Sequence, residues 1–212
     1  MRFPLSCMFI GCFYLSAPLV LANNNTLPKS CTTECATHFG KKLGTYKEVV
    51  GYSNCNPDCE SDEWNIIKLK EQAVKTGMKW QCVEYARRWY VTRLGYTFAS
   101  IDHAYQIWDL NTAIQLATQH ETRWLKFYNG KTIEKPSAND LLIYNTKQGV
   151  HGHVSVITEV KQNQILIAEQ NYANASWKHN NYARSISLIK NQKGQYKLND
   201  LGLIGWMRLE KP

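Results

Sequence analysis

Cys82, His153 and Glu169 are the side chains of this chain whose types and spacing could do covalent chemistry together. From Cys82 to Leu94 there is no Gly or Pro, Val83, Ala86, Tyr90 and Leu94 recur near helical spacing, and Gly95 follows as a C-terminal cap. The spacing predicts a helix with Cys82 in its first turn. The unpaired N–H groups and positive dipole end of a helix start favour thiolate over thiol, and the thiolate is the attacking species. Taken alone, the same cysteine also fits a small buried hydrophobe packing the helix onto a sheet. A histidine and a carboxylate within reach decide between the two.

Both are supplied by one expected hairpin. If Lys161 centres the connection between strands His153–Val160 and Gln164–Asn171, His153 faces Glu169, Ser155 faces Ile167 and Ile157 faces Ile165. All share one face because side chains alternate with a period of two. The carboxylate would hold the imidazole's tautomer while the other ring nitrogen takes the thiol proton. Asn171 projects from the same face and could replace Glu169 in that task. Gln81, beside the cysteine, is a candidate second donor to a developing oxyanion. His151 and His153 would also point the same way as a metal pair, but no further ligand with usual spacing completes the set. No metal and no cofactor is expected.

Cysteine usage points to the compartment. Beyond residue 22 the chain holds Cys31, Cys35, Cys55 and Cys59 plus the odd Cys82. In an oxidising compartment the first four pair as two disulfides, in any of three connectivities, and leave Cys82 reduced. A four-cysteine zinc site is the competing use of Cys31, Cys35, Cys55 and Cys59. Residues 1–22 read as a cleaved secretory signal peptide: Arg2, then a mostly apolar run from Cys7 to Leu21, then the small-residue pattern Val20-Leu21-Ala22. The expected destination is periplasm or exterior, without stable membrane insertion once the leader is removed.

The 212 residues, 44% hydrophobic and 20% charged, suit one globular domain after the leader. The net charge of +8 favours an acidic partner without naming it. The lysines are scattered and no nucleic-acid motif accompanies them, so no nucleic-acid partner is expected. Residues 23–38 read as a polar, cysteine-bearing N-terminal arm. Trp64 to Gln72 suggests a short helix, and His103 to Gln119 a second long one with Asp102 as its cap. Beyond Pro136 the period changes to short β-rich runs: Leu141–Tyr144, His153–Val160, Gln164–Asn171, Arg184–Ile189, Tyr196–Leu198 and Leu203–Arg208. Helices first and strands later predict an α+β fold, with N-terminal helices packed on a C-terminal antiparallel β-sheet.

Several stretches together resemble a known family: Lys79-Trp80-Gln81-Cys82-Val83-Glu84-Tyr85-Ala86-Arg87-Arg88, Asn139-Asp140-Leu141-Leu142-Ile143, Gly152-His153-Val154, Ile167-Ala168-Glu169-Gln170-Asn171 and Gly205-Trp206-Met207. They resemble the CHAP family of cysteine amidohydrolases and peptidases and, within it, glutathionylspermidine-cleaving amidase domains. Asn139 stands where that family commonly has Gly, and Asn visits positive φ more readily than other non-glycine residues. The resemblance implies a papain-like CHAP domain over 39–212 and a triad of Cys82, His153 and Glu169. Secreted relatives of that fold usually cut amide bonds in peptidoglycan, so the expected substrate is the peptide part of bacterial peptidoglycan. The alternatives are a γ-glutamyl or polyamine amide, and an inactive module that only binds cell wall.

Overall fold

A computed structural model describes residues 27–69 and 72–211, so the leader expected at residues 1–22 lies outside the described residues. Two hairpins come first: β1 (Lys42–Tyr46) with β2 (Val49–Tyr52), then β3 (Trp64–Leu69) with β4 (Gln72–Met78). The helix α1 (Cys82–Leu94) follows. Nine strands then build one sheet: β5 (Tyr96–Thr97), β6 (Thr112–Gln115), β7 (Glu121–Tyr128), β8 (Leu141–Tyr144), β9 (His153–Val160), β10 (Gln164–Ala168), β11 (Arg184–Lys190), β12 (Tyr196–Leu198) and β13 (Leu203–Leu209). Their spatial order is β12, β11, β10, β9, β8, β13, β7, β6, β5, with every neighbouring pair antiparallel.

This corrects the expected layout. The N-terminal half is not a set of helices laid on a later sheet; α1 is the one α-helix among the described residues, and strands precede it. Trp64 to Leu69 is β3, because its aromatic and β-branched residues alternate in exposure with a period of two while pairing with β4. The stretch from His103 to Gln119 holds only a short 3-10 turn at Ala104–Asp109 and then β6. Asp109, Asn111 and Thr112 compete with helical hydrogen bonding there, and Ala113 alternates inward while Ile114 points out. The β-rich runs beyond Pro136 lie close to where the period placed them, except that β10 ends at Ala168 rather than Asn171, which takes φ 53°.

The sheet has an apolar layer on each face. Leu141, Ile143, Val154, Val156, Ala168 and Met207 face α1, meeting Tyr85, Ala86, Trp89 and Tyr90. Leu142, Tyr144, Ile157, Ile165, Ile167 and Trp206 fill the other side. Each fully buried aliphatic side chain of this kind contributes roughly 1.5–3 kcal/mol.

Helix α1 is buried on nearly all sides, since hairpins β1–β2 and β3–β4 cover the face turned away from the sheet. That is why Glu84, Arg87 and Arg88 are buried despite their charge. Such groups persist inside only when paired. Arg88 Nε lies 2.7 Å from Glu84 Oε1, and Arg87 donates to the carbonyls of Thr76, Phe98 and Ala99. Gly95 takes φ 74° and closes the helix by donating to Tyr90 O. No helix among the described residues is long and apolar enough to cross a membrane.

Candidate active site

Cys82 is the first residue of α1, behind an N-cap, Gln81, whose side chain makes no capping hydrogen bond. The thiol is buried at 8% exposure and unpaired. In front of it opens a cleft of about 300 Å³ whose wall includes Glu60, Trp64, Gln81, Asp102 and His151.

His153 opens β9 at the rim of the sheet. The residue before it must be glycine: Gly152 has φ 65°, and a Cβ there would stand 2.5 Å from Tyr144 O. Its Nε2 lies 2.9 Å from Glu169 Oε2, which leaves Nδ1 as the nitrogen available to Cys82. Burial alone would lower the His153 pKa. Hydrogen bonds to Cys82 and Glu169, together with the charges of both, outweigh burial and lift it to about 9.

The hairpin that joins these residues has a different register from the expected one. Ile165 pairs with Val160 and Leu166 with Glu159, but Ile167 pairs with Ile157 and Ala168 with Val156. Thr158 is the extra residue of this bulge, and its Oγ1 donates to Leu166 O at 3.0 Å. Continued without the bulge, the first register would put Glu169 on the opposite face from His153. The bulge restores their common face, so they meet diagonally across the pair rather than directly. The helix also packs on the other face from the one expected, that of Val154 and Val156; Cys82 is a partner of the imidazole at the start of β9.

Glu169 is buried, and its second oxygen is taken by Arg184, with Nε 2.7 Å from Oε1. Burial pushes the carboxyl pKa up; His153 and Arg184 more than offset this and hold it below its ordinary value. Arg184 Nη1 in turn reaches Asp200 Oδ2 at 2.7 Å, and Tyr144 Oη donates to the same oxygen at 2.9 Å.

Asn171 is placed elsewhere. It has φ 53°, and its Nδ2 donates to Gln81 Oε1 at 2.7 Å, while Gln81 Nε2 donates to Cys59 O at 2.8 Å. The Gln81 amide is therefore oriented from two sides, with one N–H left over. Cys59 lies in the connection between β2 and β3, to which the N-terminal arm is stapled by disulfides joining Cys31 to Cys59 and Cys35 to Cys55. His151 does not converge with His153; its Nδ1 lies 2.8 Å from His103 Nδ1.

The sequence reading passed over Gln170, Arg184 and Asp200. Gln170 sits between Glu169 and Asn171, so alternation turns it toward α1, where its amide meets Gln81 O, Glu84 and Arg88. The available signal was the i, i+4 pair Glu84 and Arg88 on a helix, two charges needing a polar partner. Arg184 faces Ile167 across the β10–β11 pair, which no local pattern specifies.

A thiol at a helix start, a buried imidazole and an ionised carboxylate suit nucleophilic attack on a carbonyl. The family model described as the CHAP domain matches residues 73–171, from the second residue of β4 through Asn171. This part of the chain is a CHAP domain. The chain is 32% identical over 189 residues to the bifunctional glutathionylspermidine synthetase/amidase of Escherichia coli (strain K12), covering 83% of this chain and 30% of that protein. It is 33% identical over 159 residues to the trypanothione synthetase of Crithidia fasciculata, covering 74% of this chain and 24% of that protein. The chain thus spans less than a third of the length of these relatives. The matched CHAP segment includes Cys82, His153 and Glu169, while Arg184 and Asp200 lie beyond it.

Proposed function

We propose that this chain is an exported cysteine amidase or endopeptidase, with Cys82 as nucleophile, His153 as general base and acid, and Glu169 as the group that orients His153. One observation carries the reading: a single buried imidazole stands between the Cys82 thiol and the Glu169 carboxylate. His153 takes the thiol proton, and the sulfur attacks the amide carbonyl carbon. The main-chain N–H of Cys82 at the helix start stabilises the oxyanion, and the remaining N–H of Gln81 is the second donor. Collapse breaks the C–N bond as His153 protonates the leaving amine. Water, deprotonated by the same imidazole, then hydrolyses the thioester and releases the carboxylic acid.

The substrate in this reading is an amide in the peptide part of peptidoglycan. Two disulfides that tie the arm to the β2–β3 connection support work in an oxidising compartment, and the leader pattern at residues 1–22 supports export there, with residues 39–212 as the amidase domain. A polyamine or γ-glutamyl amide is the second reading, favoured by the word amidase in the name of the Escherichia coli relative. Incubating the protein separately with purified peptidoglycan and with glutathionylspermidine, and assaying new primary amines, separates the two. Peptidoglycan is expected to yield amines. Release only from glutathionylspermidine would replace the first reading by the second, and release from neither, with the protein pelleting on cell wall, would make it a binding module.

A further inference from the structure

Behind Glu169, on the side away from the cleft, lies a chain of charged and hydroxyl groups that the reaction sequence above does not use. Arg184 does not line the cleft in front of Cys82; it borders a separate cavity of about 150 Å³ behind Glu169. Its guanidinium is held on three sides. Nε reaches Glu169 Oε1 at 2.7 Å, Nη1 reaches Asp200 Oδ2 at 2.7 Å, and the Tyr172 ring lies 4.5 Å away. Tyr172 in turn stands 5.3 Å from the His153 ring, and Tyr144 Oη fixes the Asp200 oxygen that Arg184 uses.

A carboxylate at 4% exposure beside a histidine faces a specific difficulty. It stays ionised easily while His153 is cationic, but His153 loses its charge each time it protonates a leaving amine. A carboxyl left alone at that moment would take up a proton, since burial disfavours its anion. A permanent cation on the other oxygen prevents this, and arginine is the side chain that cannot give its proton away.

We propose that Arg184 is a positioning residue for the Cys82–His153–Glu169 site, holding Glu169 aimed and ionised throughout turnover, with Asp200 and Tyr144 holding Arg184 in turn. The groups that face Glu169 are His153 from β9, Arg184 from β11 with Asp200 behind it, Tyr144 from β8 and Tyr85 from α1. Cys82 stands beyond His153. Of these, Arg184 is the one cation that does not titrate during the reaction.

The inference rests on the reading of Cys82 and His153 as a reactive pair, and its test needs no amide substrate. The probe is iodoacetamide, with the rate of Cys82 alkylation followed against pH in wild type, Arg184→Met, Arg184→Lys and Asp200→Asn. Weakening the Glu169 anion disfavours imidazolium, so the thiolate–imidazolium form occupies a narrower pH window. In Arg184→Met the alkaline limb, where imidazolium is lost, therefore moves to lower pH, and the rate at neutral pH falls roughly 10- to 100-fold, the range for losing a hydrogen bond to a charged group. Arg184→Lys recovers part of the loss, and Asp200→Asn narrows the window in the same sense but less. A purely structural role would lower the melting temperature and leave both limbs in place. If Arg184→Met does not fold, Arg184→Lys and Asp200→Asn decide: wild-type limbs in both would overturn the proposal. A wild-type Cys82 no more reactive than a free thiol would instead fail the underlying reading.

Discussion

Gln170 Nε2 donates to the main-chain carbonyl of Gln81 at 3.2 Å, so the residue after the carboxylate holds the residue before the thiol. Three consecutive side chains divide this work. Glu169 turns to His153, Gln170 to the first turns of α1, and Asn171 to the Gln81 amide. The loop leaving β10 thereby sets the distance between the Cys82 thiol and the His153 imidazole.

Gln170→Ala removes amide contacts to Gln81, Glu84 and Arg88 and is expected to cost about 1–3 kcal/mol by urea denaturation. Gln170→Glu is expected to be worse, because its carboxylate replaces the donor facing Glu84 Oε2. Equal melting of the two variants would show that the Glu84 contact carries no weight.

Arg88→Met leaves Glu84 buried at 0% exposure without its cation. Removing one partner of such a pair costs roughly 3–5 kcal/mol. Chemical denaturation of the single variant and of Arg88→Met with Glu84→Gln checks this, and the double variant is expected to recover part of the loss.

The pH dependence of stability follows from His153. Its pKa in the folded chain, about 9, is raised above the ordinary histidine value of 6.5. The contribution is fully present below 6.5 and is lost as pH rises through about 9. Melting temperatures measured across that interval should fall with rising pH in wild type, and more shallowly in His153→Gln.

Much of the site was legible because its signals are local. An uninterrupted apolar period bounded by Gly95 marks α1, strand β9 announces itself by a β-branched run, and β8 and β13 by short apolar or aromatic runs. The face shared by His153 and Glu169 was also readable, although for an incomplete reason. The expected register differs from the observed one by an even number of residues, which preserves the face, and the Thr158 bulge that makes this so leaves no pattern in the sequence. The helices expected at Trp64–Gln72 and His103–Gln119 failed because apolar residues in short segments fit either period until a partner strand is present. Arg184 and Asp200 were out of reach, since the contact of Arg184 with Glu169 and that of Asp200 with Arg184 depend on how β11 pairs and where the chain returns after β12.

The stapled arm gives a further expectation. Cys59 O anchors Gln81 Nε2, and the two disulfides span 28 and 20 residues. Loss of each should cost roughly 2–5 kcal/mol, the usual cost of removing a native disulfide. Thermal melts with and without a phosphine reductant measure this, and unchanged melting would mean the arm is held without them.

The most direct test of the central claim is the rate of amine release, on whichever amide the wild type cleaves, by Cys82→Ala, His153→Ala and the double variant. Residues acting as one unit are not additive, so each single variant should fall to background and the double should be no slower than either. Cys82→Ala cleaving the amide at the wild-type rate would contradict the assignment of Cys82 as nucleophile.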